Sequence, residues 1–598
     1  MDNEKRALLA IVLSLLVLFI YQYFFAPPPK KVPVKPSAAP QEPAPQEKIP
    51  PAAPPDMKPA PPPALAEATK PAVAEQAAKT TVITTPLYTA VFSHFEAGIT
   101  SFRLHRYMDS LGSPAVIKLV KKMFSAGETQ PEPKPQWKEL IHLGQAQHLP
   151  LRAFFLTAQG HIIEAPQYQS SRDALEVTAQ NGSSSITFIP DSTAGAQALR
   201  LEKTFKFTPA DYRIDVALTL RNTAATAVDG NAVVEWTHYY PSPGEHSGGG
   251  FFGGRQNSET MPAKFAYFIN GKVEKKELKD FAEAKILEGD ILWTAFEDKY
   301  FTSAVIPHQE LPHQVQVGKP ADQLLAYRLV FPHVTLKPDE EKTYQLAVYL
   351  GPKEIGTLER QGSKLAKTIN FGMFDIIAKP LLISLNFFYR FCGNYGIAII
   401  LITVIIKILF WPLTHKSYQS MKEMQKLQPE MQKLKEKYKN KKDELNREIM
   451  ALYRKYNVNP LGGCLPILLQ IPVFIALYSV LSDSIELRHA NFISFWINDL
   501  SAHDPTYISP LLMGASMFYQ QKMTPSTADP AQAKMMLMMP IIFTFMFLNF
   551  PAGLVLYWLI NNVLSIIQQL YINKTARDAG GREWTQSKSK QKPLMKQS

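Results

Sequence analysis

The sequence predicts a polytopic α-helical membrane protein of six transmembrane helices, with a large β-sandwich domain outside the cytoplasm. Three observations point there. Only 19% of the 598 residues are charged while 46% are hydrophobic, where soluble chains average about 25% charged. One apolar run opens the chain and five more crowd its last third. The stretch between them alternates apolar with polar residues and is rich in β-branched types, punctuated by turn signals. The length exceeds what one core can organise. The two cysteines, Cys392 and Cys464, both sit in apolar surroundings, which excludes a disulfide scaffold, a zinc module and an iron–sulfur protein. A net charge of +12 suggests an anionic partner, such as lipid headgroups or RNA.

Residues 1–26 read as a membrane anchor. Ala7 to Ala26 is apolar apart from Ser14 and Gln22, and about 20 residues span a hydrocarbon core of about 30 Å. Lys5 and Arg6 precede it and hold the N-terminus in the cytoplasm. The rival, a cleaved signal peptide, calls for a shorter run ending in small residues. This run instead passes through Tyr21, Tyr23, Phe24 and Phe25 into three prolines. Residues 27–80 carry 17 prolines. They cannot bury a core and read as a disordered linker of polyproline II character.

Residues 81–350 read as the β domain. Its strand candidates are Thr81–Val91, Leu199–Phe207, Tyr212–Arg221, Ala232–Thr237, Phe301–Ile306 and Tyr344–Leu350, with turns at Asn181-Gly182, Pro209-Ala-Asp and Asn270-Gly271. A sandwich is the natural reading. The glycine-rich run 248–254 lacks the Gly-Lys-Ser/Thr ending of a phosphate loop and reads as a plain loop. Glu235, His238, Glu245 and His246 have no metal-ligand spacing and read as surface loop residues.

Residues 364–391 read as an amphipathic helix in the membrane interface. Ile376, Ile377, Leu381, Leu382, Leu385 and Phe388 recur at helical spacing opposite Lys379, Ser384 and Asn386, too polar a pattern to span. A five-helix core, 392–572, follows, with apolar stretches at about 393–413, 464–481, 507–522, 535–550 and 553–572. With the anchor this makes six spans and returns the C-terminus to the cytoplasm. The connection 414–460 carries twelve basic residues and the tail 573–598 seven, whereas 482–506 has Arg488 alone. That is a positive-inside bias. The 16 residues 507–522 give about 24 Å of helix, short for a bilayer, so thinning or shielding is expected.

The informative residue is Lys407, a lone charge inside an apolar span. A snorkelling lysine is the bland reading; an intramembrane charge otherwise faces a polar interior. Thr403 and Trp411 lie one turn to either side on its face. Gln470 is on the next span, Ser509, Ser516 and Gln520 on the one after, and Asn561, Ser565 and Gln568 on the last. These stripes could close as interhelical hydrogen bonds or line a wet cavity around one positive charge. With no intramembrane carboxylate to pair Lys407, the wet cavity is favoured. The candidate groove residues are Lys407, Thr403, Trp411, Gln470, Ser516, Gln520, Asn561 and Ser565. No catalytic residue, metal ligand or cofactor site is expected. The core spans hold no acidic residue for a proton relay and the chain no Walker motif, which weakens the alternative, a small-solute transporter.

The connection 414–460 reads as a helical hairpin turning at Lys439-Asn-Lys-Lys442. Met421, Met424, Leu427, Met431, Leu434 and Tyr438 step by three or four, as do Leu445, Ile449, Leu452 and Tyr456 on the return. The stripe fits packing of the two helices together, and its methionines also suit a soft surface for varied apolar sequences.

The run Asn457-Val-Asn-Pro-Leu-Gly-Gly-Cys-Leu-Pro-Ile-Leu-Leu-Gln-Ile-Pro-Val-Phe-Ile-Ala-Leu-Tyr478 closely resembles the YidC membrane protein insertase family. So do Trp411-Pro-Leu-Thr414, Leu427-Gln-Pro429, Asp499-Leu-Ser501, Gln521-Lys-Met523 and Phe550-Pro-Ala-Gly-Leu-Val-Leu-Tyr557. Anchor, linker and β domain resemble the long, Gram-negative form. The resemblance implies a non-enzymatic insertase and chaperone of the inner membrane with a periplasmic β-sandwich domain. Its expected partners are nascent membrane proteins, the Sec translocon, the ribosome through the basic hairpin and tail, and anionic lipids. It also implies a groove whose positive residue matches Lys407. Many members carry Arg there; Lys keeps the charge and loses the bidentate fork.

Overall fold

The computed structural model describes residues 79–590, apart from 110, 112–114, 117–134, 145, 192–197, 241–263, 309–310, 322, 440, 457–464 and 524–529. The expected anchor, nearly all of the linker, the glycine-rich run, Glu245 and His246 lie outside the described residues.

Among the described residues the β domain forms three sheets. The largest has nine strands, antiparallel at every pairing, with Phe301–Pro307, Glu341–Pro352, Arg213–Asn222 and Leu199–Phe207 side by side at its centre. Leu199–Phe207 buries every second residue, as the period-2 geometry of a strand requires when one face is covered. At Asn270-Gly271 both residues have positive φ, +49° and +84°, the hairpin turn that matches strand twist. A six-stranded sheet centres on Leu324–Leu336 and Val228–Tyr239. Phe265 and Phe296 of the large sheet meet Tyr327 of this one at 5.2 and 5.3 Å, giving the face-to-face layers of a sandwich. A third sheet of five strands adds Phe92, 4.6 Å from Phe205.

Glu235 and His238 are not surface loop residues. Both sit on the central strand Val228–Tyr239. Glu235 is 2% exposed and accepts from Arg152 Nη1 at 3.2 Å and Arg328 Nε at 2.6 Å. His238 stacks on Phe296 at 4.8 Å, and burial pushes its imidazole down to about 3. A strand covered on both faces can carry a charge inside when the next strands supply its partners, and those partners are 83 and 93 residues away in sequence. Lys203 is likewise buried; its ammonium donates to the Glu96 and Leu151 carbonyls.

The helices are α1 (Ile355–Arg360), α2 (Asp375–Cys392), α3 (Tyr395–Lys426), α4 (Gln428–Lys437), α5 (Lys442–Lys455), α6 (Leu465–Asp483), α7 (Ile508–Met523), α8 (Pro530–Phe547) and α9 (Ala552–Lys590). Each of the five apolar stretches of the core is a helix. Among the described residues, 372–392, 395–426 and 552–574 are long and apolar enough to cross a membrane; 470–483 and 536–547 are apolar but shorter. The segment 372–392 thus matches a span in length and composition, although its pattern is that of a surface helix. Ala378, Leu382 and Leu385 are buried, Ile376, Ile383, Phe387 and Phe391 are exposed, and Lys379 pairs with Asp375 at 2.8 Å.

The expected hairpin is α4 and α5, joined at 438–441. α3 runs on past its apolar part to Lys426, so Leu427 alone separates it from α4. Met424, Leu427 and Met431 are buried, and Tyr453 donates its hydroxyl to Met431 Sδ at 3.1 Å. The apolar stripe packs helix on helix, while Tyr456 at its end is exposed.

The β domain is joined to the C-terminal end of α6. Tyr300 donates its hydroxyl to the Ser482 carbonyl at 3.0 Å. Arg488, just beyond α6, donates to the carbonyls of Met108 at 2.8 Å and Asp109 at 3.1 Å. Its guanidinium lies 5.7 and 5.5 Å from the ring centroids of Tyr300 and Phe301, a desolvated stacking that favours Arg.

Candidate functional site

The site is a polar seam between α3, α6, α7 and α9. α3 starts cleanly: Gly393 is left-handed, and the Asn394 side chain accepts from the Ile397 amide at 3.2 Å, a helix N-cap. Gly396 lets the helix approach the Phe492 ring, which a Cβ would strike. About three turns further along α3, Lys407 meets α9. Lys407 Nζ donates to Ser565 Oγ at 2.6 Å, and Ser565 Oγ donates in turn to the Asn561 carbonyl at 2.7 Å. Among the described residues Lys407 makes no ion pair. A cavity of about 20 Å³, room for one water, lies beside it, lined by Ile406, Lys407, Phe410, Leu413, Thr414, Gln470 and Asn561.

The predicted residues divide. Lys407, Gln470 and Asn561 line the cavity, and Ser565 holds the lysine. Gln470 Nε2 donates to the Tyr557 hydroxyl at 3.3 Å. Thr403, by contrast, is 1% exposed and returns its hydroxyl to the Ile399 carbonyl one turn back, at 2.6 Å. The Trp411 ring turns to Tyr571, at a centroid distance of 6.3 Å. Ser516 accepts from Asn562 Nδ2 at 3.0 Å and Gln520 bonds Tyr418, so both are engaged in contacts away from Lys407. Ser509 is taken up at the N-terminal end of α7, where the Asp504 carboxylate accepts from its amide and its hydroxyl, both at 2.7 Å.

Sequence reasoning missed four members. Asn562 and Gln569 face α7, Gln569 donating to the Met523 carbonyl at 2.9 Å. Thr414 receives Gln568 Nε2 at 2.8 Å, and Tyr557 receives Gln470. The signal for the first two was present: 562 and 569 are seven apart, two turns of one helix face. The seam is therefore both things the stripes allowed. Most of its polar groups are closed by interhelical hydrogen bonds, and a small cavity stays open at the one charge.

Comparison with known proteins bears on the family of the chain. A family model described as 60Kd inner membrane protein matches residues 387–579, and one described as YidC periplasmic domain matches residues 139–384. The membrane protein insertase YidC of Citrifermentans bemidjiense is 42% identical over 580 residues, covering 96% of this chain and 100% of that one. That of Syntrophus aciditrophicus is 41% identical over 588 residues, with 96% and 100% covered. A crystal structure of an active YidC insertase with its first transmembrane domain resolved aligns over 82% of this chain and 92% of its own at 18% identity, with a TM-score of 0.35. Identity above 40% along nearly the whole of both chains, spanning the strand-rich domain and the apolar helices alike, leaves one conclusion: the chain belongs to the YidC family of inner-membrane protein insertases.

Proposed function

We propose that this chain inserts and folds integral membrane proteins by capturing the polar flank of a nascent segment at Lys407. The observation that carries the reading is the lysine's partner. Lys407 is held in apolar surroundings by a neutral hydroxyl, Ser565 Oγ. A substrate carboxylate brings the full opposite charge that the Ser565 hydroxyl lacks, adding Coulomb attraction to the hydrogen bond, so it displaces Ser565. The cavity beside the lysine holds only about one water, so entry requires α3 and α9 to part and the seam to become the groove. Thr403, Trp411, Gln470, Ser516, Gln520, Asn561 and Ser565 then offer hydrogen bonds that replace bulk water and lower the cost of burying polar groups.

The apolar segment leaves sideways into lipid, and the sequence run holding Met535, Met536, Met538 and Met539 is of the flexible type that accepts varied partners. The anchor and the five core helices make six spans, with both termini cytoplasmic and α2 in the outer interface. The basic hairpin and tail receive substrate from the ribosome and anionic lipid, and larger substrates are shared with the Sec translocon. No bond is made or broken, so no catalytic residue, metal or cofactor is required.

The test is insertion into proteoliposomes containing only this protein. The substrate is a small membrane protein with a short acidic outer tail, scored by protease protection. Insertion by wild type and loss in Lys407→Ala supports an electrostatic groove. Equal insertion by both removes Lys407 from the mechanism, and saturable solute uptake without insertion would favour a transporter.

A further inference from the structure

Two lysines cover one ring at the edge of the β domain. Phe268 is 1% exposed, and Lys364 Nζ and Lys367 Nζ lie 5.6 and 5.5 Å from its centroid. The two ammoniums are therefore within about 11 Å of each other. Both residues are exposed, and among the described residues neither makes an ion pair. The acid nearby is already committed: Glu297 pairs with Lys275 at 2.5 Å and with Lys353 at 3.5 Å. Lys275 also donates to the Thr368 carbonyl at 2.6 Å, which pins the lysine-bearing segment to the large sheet.

The backbone that presents these lysines is unusual. Gly362, Ser363 and Lys364 are consecutively left-handed, with φ of +70°, +46° and +59°. Only the first is free of the steric cost of that conformation, and such outliers concentrate at functional sites. A few residues further on, Met373 is 59% exposed and Ile376, in the first turn of α2, is 85% exposed. Two cations without an ion pair are thus followed, at positions 373 and 376, by exposed apolar side chains. That order matches a phospholipid, phosphate first and acyl chain beneath it.

We propose that Lys364 and Lys367 bind the phosphate of an anionic phospholipid in the outer leaflet, with Met373 and Ile376 against its chains. The aromatic ring beneath holds both ammoniums in place, so little side-chain freedom is lost on binding. A soluble anion would use the lysines alone and leave the apolar pair unexplained. The proposal rests on α2 lying in the outer interface.

The experiment titrates short-chain phosphatidylglycerol, short-chain phosphatidylcholine and glycerol phosphate into the full chain in detergent, followed by calorimetry. Each lysine near an anionic surface is worth about a factor of five, so Lys364→Gln/Lys367→Gln should weaken phosphatidylglycerol binding about 25-fold. Lys364→Arg/Lys367→Arg, which keeps the charge, should retain binding and so controls for folding. Three results overturn the site: no difference between the Gln pair and wild type, glycerol phosphate binding as tightly as the lipid, or an acidic peptide that binds the lysines and is not displaced by lipid. A fluorophore at Ile376→Cys, quenched by lipids labelled at known depth, tests the helix separately. Headgroup depth without phosphatidylglycerol preference rejects the site alone; a probe in water or at the bilayer centre rejects both readings.

Discussion

At position 407 the charge and the shape of the side chain make separable contributions. Among the described residues Lys407 donates to Ser565 alone, a geometry that asks for one donor rather than a fork. Lys407→Arg should therefore keep insertion, while Lys407→Ala should lose the charge-assisted contact, worth about 1.5–3 kcal/mol or roughly 10- to 100-fold in capture. Insertion yield at limiting protein in proteoliposomes checks both. A second lysine behaves in the opposite way. Burial pushes Lys203 down from 10.5 to about 7. Between those values the unfolded chain binds a proton that the folded chain does not, so this group makes the β domain more stable as pH rises from about 7 to about 10.5. Urea unfolding followed through the buried Trp236 and Trp293 should show that slope, and Lys203→Met should remove it. An unchanged slope in the variant would mean that Lys203 stays charged inside.

On the scale of elements, α9 holds the core together by two different faces. Asn561, Ser565 and Gln568 turn to α3 and its cavity, while Asn562 and Gln569 turn to α7. Asn562→Leu should lower the thermal stability of the full chain by about 0.6–1.7 kcal/mol, the range for one interhelical bond in a membrane. A cycle with Ser516→Ala should recover that energy as coupling, and a cycle with Lys407→Ala should be additive within about 0.5 kcal/mol. The two faces also explain what the sequence could convey. Apolar length located all five core helices, and the isolation of Lys407 singled out one residue of the polar seam. The partner of each polar residue depended on helix rotation, which spacing leaves open by one residue: Asn561 and Asn562 are neighbours in sequence and serve different helices. Thr403 illustrates the same limit, since a threonine can return its hydroxyl to its own helix, and nothing in the sequence distinguishes that from a groove. In the β domain the alternating strand Leu199–Phe207 was legible to the residue. The buried Glu235 was not, because Arg152 and Arg328 reach it from strands distant in sequence.

For the whole molecule, the joint between the β domain and the helical core is the feature with a pH dependence of its own. Glu486 lies in the turn after α6, beside Arg488. Burial raises its carboxyl from 4.5 to about 7, the Glu354 carboxylate adds to the rise, and a hydrogen bond with Asn386 opposes it. The folded joint thus favours the neutral acid. Between about 4.5 and about 7 the folded joint holds a proton that a separated one releases, so the stabilisation is full below that window and is lost as pH rises through it. Arg488 holds the joint through the carbonyls of Met108 and Asp109 and the rings of Tyr300 and Phe301. The expected result is a joint that is tighter at about pH 5 than at about pH 8 in wild type, indifferent to pH in Glu486→Gln, and loose at both in Arg488→Ala. Spin labels at the exposed positions Lys337 in the β domain and Ile397 on α3 report this as the width of their distance distribution. A wild-type distribution that does not widen between the two pH values would show that Glu486 is neutralised by something other than a proton. A narrow distribution in Arg488→Ala would place the holding energy in Tyr300 and Ser482 instead.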